Sequence, residues 1–172
     1  MDARSTPLAV GDLAPDFSLR DQHGAAVTLS AGLDAAEAVV VFFPFAFSGI
    51  CTGELREIRD HLEDFDTSDI RLFAVSCDPM FSLRAWADLE GYFFPLVSDF
   101  WPHGHVSSAY GVFDAKLGCA QRGTFLIGRD SRVAYANVEP ASTRRDFSGY
   151  REALARVRAL RGTSATRWTG GP

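Results

Sequence analysis

A chain of 172 residues with 47% hydrophobic and 23% charged residues has the balance of one ordinary globular domain, long enough to bury a sizeable core. Its net charge of −5 argues against non-specific nucleic-acid binding. No apolar run approaches the ~18 residues of a membrane helix, and residues 1–17 lack a signal-peptide core, so the expected compartment is the cytoplasm, with no membrane partner. The charge is uneven: residues 144–172 carry seven Arg against Asp146 and Glu152, which reads as a solvated, Arg-studded terminal helix.

In chain order, residues 17–20 and 26–29 flank the turn-like Asp21-Gln22-His23-Gly24 and predict a hairpin. The continuous apolar run 38–43 predicts a central strand buried on both faces and ended by Pro44. Leu55, Ile58, Leu62 and Phe65 step by three and four, predicting one helix over 51–65. Residues 70–76 predict a second buried strand, 81–89 a short helix with Trp86 and Leu89 on one side, and 93–97 a third strand. Residues 98–107, with Trp101-Pro102-His103-Gly104, read as loop; 124–127 and 132–138 predict a hairpin. A last helix is expected from about 146, with Phe147, Tyr150, Leu154, Val157 and Leu160 on one stripe. This order predicts an α/β fold of thioredoxin-like layout, a mixed central β-sheet flanked by helices, as a single domain over residues 8–162 with a disordered tail over 163–172.

The chemically sharp stretch is Phe42–Leu55. A strand ending at Phe43 leads through a tight loop into a helix whose first turn holds Cys51. Such strand-to-helix junctions lie along the carboxyl edge of an open α/β sheet, where ligands bind. The unpaired N–H groups and positive end of the helix favour an anion, and a thiolate is one. Acidity alone achieves little. Lowering a thiol pKa from about 8.5 to about 6 raises the thiolate fraction at pH 7 roughly thirtyfold but lowers nucleophilicity roughly tenfold. A fast site must also hold and polarise the electrophile. Ser48, three residues before Cys51, offers a hydroxyl; Pro44 fixes the loop start; Phe43, Phe45 and Phe47 are placed to exclude water; and Arg122 is the best-placed cation. The bland alternative for Cys51 is a small buried hydrophobe, and for the phenylalanines simple core packing.

Three cysteines, Cys51, Cys77 and Cys119, without Cys-x-x-Cys spacing argue against a disulfide framework or zinc ribbon and for a reducing compartment. Cys77 follows the strand 70–76 and so reaches the same sheet edge as Cys51. Cys119 lies an odd offset before Arg122, which in extended chain points it to the other face. His103 and His105 lie near Trp101 and are read as loop-stabilising.

Pro44-x-x-x-Ser48-x-x-Cys51 resembles the Pro-x-x-x-Thr/Ser-x-x-Cys signature of the peroxiredoxins (the AhpC/TSA family). Residues 10–17, Glu54 and Arg122 in Arg122-Gly123-Thr124-Phe125 resemble further parts of their pattern. The stretches 42–55 and 98–104 look most like the one-cysteine alkyl hydroperoxide reductase E subgroup. The resemblance, over about residues 8–160, implies a thiol-dependent peroxidase needing no metal or other cofactor. Cys51 would be the peroxidatic nucleophile, passing through a sulfenic acid. Arg122 would lower the thiolate pKa and bind peroxide oxygen, Ser48 would hydrogen-bond thiolate and peroxide, Pro44 would shield the sulfenic acid, and Glu54 would partner an arginine. Position 56, a common place for a resolving cysteine, is Arg56. The implied partners are a hydroperoxide, a low-molecular-weight thiol or thioredoxin- or glutaredoxin-like reductant, and a second copy in a homodimer. Three other readings stay open on sequence: a disulfide reductase, which Cys51-Thr52-Gly53-Glu54 disfavours by lacking a second cysteine; a binding module whose catalysis has lapsed; and the same site recruited to a biosynthetic redox step.

Overall fold

The computed structural model describes residues 4–65, 70–146, 149 and 155. Its central element is β3 (Glu37–Phe42), buried at every residue. Alternate side chains leave the strand on opposite faces, and both faces are covered. Val39 and Val41, with Phe43 beyond the strand end, join Leu55, Ile58 and Trp86; Ala38, Val40 and Phe42 join Tyr110, Phe125 and Ile127. That double burial is why the run is continuous rather than alternating.

β3 pairs in parallel with β4 (Ile70–Ser76) and antiparallel with β8 (Arg122–Ile127). With β1 (Ser18–Asp21), β2 (Ala26–Thr28), β5 (Leu96–Ser98) and β9 (Val133–Glu139) they make a seven-stranded mixed sheet of order β2-β1-β5-β4-β3-β8-β9. The 17–29 hairpin and the 124–138 hairpin form as expected. The strand expected over 93–97 starts later, at Leu96, since Phe93 is solvent-exposed and Pro95 has no N–H to donate.

The crossovers between the parallel strands supply the helices. α1 (Gly49–Asp60) and α2 (Leu62–Phe65) connect β3 to β4, and α3 (Met80–Glu90) connects β4 to β5. The single helix expected over 51–65 is thus longer at its start and interrupted at His61, whose N–H turns back to Ile58 O and whose φ of −122° leaves the helical range. In α3 the buried side is Leu83, Trp86 and Ala87; Leu89, expected beside Trp86, faces solvent at 70% exposure.

Two features were absent from the sequence reading. The stretch 98–107 read as loop runs into the five-residue helix α4 (His105–Ala109), whose start is held by Asp99: its carboxylate accepts the N–H groups of Val106 and Ser107 and the Ser107 hydroxyl. A small second sheet forms from β6 (Phe113–Asp114) and β7 (Cys119–Ala120). The terminal helix expected from 146, and the tail 163–172, fall almost wholly outside the described residues. Among the described residues no helix is long and apolar enough to cross a membrane.

Candidate active site

The carboxyl ends of β3, β4 and β5 share one edge of the sheet, and the chain leaving β3 builds the site there. Phe43 N–H still bonds to Val75 O, after which buried Pro44 turns the chain away. Ala46 N–H donates to Asp78 Oδ2 at 2.8 Å, and Phe47 takes a left-handed φ of 63°. Ser48 follows as the α1 N-cap: its backbone is extended and its hydroxyl accepts the Cys51 N–H at 3.4 Å. Cys51 is therefore the third residue of α1, inside the first turn, where N–H groups and the helix end are positive. A hydroxyl that accepts from the backbone keeps its own hydrogen to donate.

Register brings Arg122 to the same place. β8 runs antiparallel to β3 with Val41 opposite Thr124, so two residues further Arg122 stands beside the loop leaving Phe43. Its Nη1 donates to Cys51 Sγ at 3.4 Å and to Glu54 Oε2 at 2.7 Å, and its Nε donates to Ala141 O at 2.9 Å. Cys51 is 0% exposed, Arg122 2% and Glu54 4%. Gly123 permits the tight passage of β8 here: a Cβ would lie 2.9 Å from the Phe125 ring and 3.1 Å from Val112.

Of the four residues singled out as the site, Ser48, Cys51 and Arg122 come into hydrogen-bond contact, and buried Pro44 stands at the start of the loop that carries Ser48. Glu54 is a partner of arginine, and of two rather than one. Arg145 donates from Nη2 to Glu54 Oε2 at 2.8 Å and from its backbone N–H to Oε1 at 2.7 Å. Its Nη1 donates to Phe42 O, Gly123 O and Thr124 Oγ1. Arg145 was read as part of a solvated cationic helix; it is instead 4% exposed, spanning the ends of β3 and β8. A buried carboxylate held by two guanidinium groups meets the requirement that a charge taken out of water be paired and hydrogen-bonded.

Two expectations about the surroundings change. Phe43 is buried against Trp86, with ring centroids 5.5 Å apart, but Phe45 and Phe47 are 43% and 54% exposed. Phe47 meets the Trp86 ring at 6.1 Å and leaves the rest of its surface to solvent. Both lie beyond the end of β3 in the turn before α1, where Phe47 takes a left-handed backbone, so no strand alternation carries their rings inward. The offset argument for Cys119 also loses its premise, because Cys119 and Arg122 belong to different strands in different sheets.

All three cysteines are free and buried. Burial, reinforced by Asp99, pushes the Cys77 thiol up to about 12; burial, reinforced by Asp114, pushes Cys119 up to about 11. Cys77 Sγ lies 3.9 Å from the Ser107 hydroxyl. Arg56 forms a paired contact with the Glu90 carboxylate. His103 holds Gly118 O at 2.8 Å and packs edge-on to Phe113, the loop-stabilising part expected of it.

Comparison with known proteins gives the family and the fold. Residues 10–136 match the AhpC/TSA family. The chain is 46% identical over 152 residues to alkyl hydroperoxide reductase E of Mycobacterium tuberculosis, covering 88% of this chain and 99% of that one. The crystal structure of the peroxidoxin BcpB from Mycobacterium tuberculosis superposes with a TM-score of 0.75 at 31% identity, over 88% of this chain and 97% of the other. The reduced 2-Cys peroxiredoxin of Plasmodium vivax, at 21% identity, shares the fold with a TM-score of 0.77 over 96% and 92% of the two chains. A thiol at a capped helix start, beside a buried arginine on a thioredoxin-like sheet, and a family match over most of the chain lead to one conclusion: this protein belongs to the AhpC/TSA family, the peroxiredoxins, and is a thiol-dependent peroxidase.

Proposed function

We propose that the protein reduces hydrogen peroxide or an organic hydroperoxide through Cys51 alone, in a one-cysteine cycle closed by an external thiol. The observation that carries this reading is the Arg122 Nη1–Cys51 Sγ contact of 3.4 Å in the first turn of α1. The Cys51 thiolate attacks the terminal peroxide oxygen. An S–O bond forms as the O–O bond breaks, and the electron pair leaves with the alkoxide or hydroxide, which takes a proton to become alcohol or water. Sulfur is oxidised by two electrons to the sulfenic acid and the peroxide is reduced by two.

Arg122 stabilises the charge that grows on the leaving oxygen, and the Ser48 hydroxyl and α1 N–H groups hold the peroxide in line. Glu54 and Arg145 fix the Arg122 fork, while Pro44 covers the sulfur. Cys77 and Cys119 take no part, since burial opposes their thiolates. A first external thiol then attacks the sulfenic sulfur and releases water. A second thiol displaces the first as a disulfide and restores Cys51. A small thiol or a thioredoxin- or glutaredoxin-like protein serves, in a homodimeric cytoplasmic enzyme built on one domain.

Mass spectrometry of peroxide-treated protein tests the proposal. One oxygen is expected on the Cys51 peptide, followed by a mixed disulfide when thiol is added. Cys51→Ser loses peroxide consumption, while Cys77→Ser and Cys119→Ser keep most of it. An intramolecular disulfide formed in the wild type, or peroxide consumption retained by Cys51→Ser, refutes the cycle.

A further inference from the structure

Asp78, just beyond β4, ties the site loop to the sheet edge although nothing in the mechanism uses it. Its Oδ2 accepts the Ala46 N–H at 2.8 Å and the Ser76 hydroxyl at 2.8 Å, which orients the carboxylate. Its own N–H donates to Ser76 Oγ at 3.2 Å, and its carbonyl accepts from the Ser98 hydroxyl at 2.7 Å. One residue thus joins the ends of β4 and β5 to the loop that leaves β3. The loop needs such a tie. Phe47, the residue after Ala46, sits at φ 63° with a side chain for which this conformation is unfavourable, and it is half-exposed. The Ser48–Cys51 capping contact is long at 3.4 Å and holds the loop only weakly.

Closure has a chemical consequence. Cys51 is 0% exposed with the loop in place. Hydrogen peroxide is little larger than water and needs a small displacement to enter. A thiol reductant brings carbon chains to the sulfur and needs the loop to leave. We propose that Asp78 is a positioning residue, a latch on Ala46 that keeps the Cys51 loop in its closed, peroxide-reacting form and sets how often Cys51 opens to bulkier thiols. The assignment rests on the Cys51 peroxidase reading, but the latch has a readout that needs no peroxide.

The test compares wild type, Asp78→Ala and Asp78→Asn at one pH. Iodoacetamide alkylation is followed cysteine by cysteine by mass spectrometry. Peroxide oxidation and the reduction of the sulfenic acid by glutathione are followed separately. Asp78→Ala is expected to raise Cys51 alkylation and glutathione reduction by about tenfold to a hundredfold, the range that a hydrogen bond to a charged acceptor carries, without raising the peroxide rate constant. Asp78→Asn keeps one oxygen for the Ala46 N–H, so its increase is smaller, and it serves if the alanine variant does not fold. Cys119 is the internal control and stays slow. Unchanged Cys51 alkylation, a parallel rise at Cys119, or a peroxide rate that rises with the alkylation rate overturns the latch. A wild type that forms no sulfenic acid at Cys51 instead overturns the peroxidase reading, and the alkylation series still decides the latch.

Discussion

Replacing Arg122 by Lys separates charge from geometry at the site. The guanidinium makes three directed contacts: Nη1 to Cys51 Sγ and Glu54 Oε2, and Nε to Ala141 O. An ammonium keeps the charge but presents it as a point on a shorter reach, and it cannot reproduce a fork that holds sulfur and carboxylate from one nitrogen while anchored from another. The buried carboxylate is not abandoned, because Glu54 retains two contacts from Arg145; the variant is therefore expected to fold, where Arg122→Ala would remove a buried charge from its pair. Ionising the thiol is worth only a few-fold in rate, since nucleophilicity falls as acidity rises. The larger part must come from donors that bind more strongly as the O–O bond breaks, and losing one such donor costs about 10² to 10³ in rate. The assay is the second-order rate constant with hydrogen peroxide by stopped flow, taken where thiolate absorbance shows both variants fully ionised. Arg122→Lys should then be slower by about that factor. Equal rates would mean that Arg122 only supplies charge, and the argument for its fork would fail.

Three further outcomes are expected. Because burial raises the Cys77 thiol from the ordinary 9.0 to about 12, the folded state holds its proton where the unfolded chain has lost it, so stability falls as pH rises through that window. Cys77→Ser should flatten the fall, seen in denaturant midpoints against pH; an unchanged slope would mean that Cys77 is not buried in solution. Arg145→Ala should lower the unfolding free energy by about 3 kcal/mol, measured by urea denaturation, and a loss under about 1 kcal/mol would show that its buried network contributes little. Sedimentation at micromolar concentration should give a dimer, and a monomer there counts against the homodimer.

Much of this protein was legible in its sequence because the relevant signals are local. The run before Pro44 can satisfy its burial only as a central strand. The spacing of Ser48 and Cys51 sets a cap and a first-turn residue whatever the rest of the chain does, and Leu55 and Ile58 follow at helical period. Arg122 stood out because it opens a short apolar strand. Other features have no local signature. Arg145 is recognised by the carbonyls of Phe42 and Gly123 and by Glu54, 91 residues away; backbone acceptors carry no residue identity, so nothing in an Arg-rich stretch marks the one arginine that turns inward. Asp78 is one acid among many until the sheet sets its carboxylate 2.8 Å from Ala46 N. Phe47 takes a left-handed backbone, which the propensity of a non-glycine residue argues against and tertiary contacts impose. The sequence alone determined which thiol stands at the helix start, and it marked Arg122 as a cation opening an apolar strand. Only the packing of β3 between β4 and β8 decided what surrounds that pair, because strand register sets distances that spacing along the chain does not.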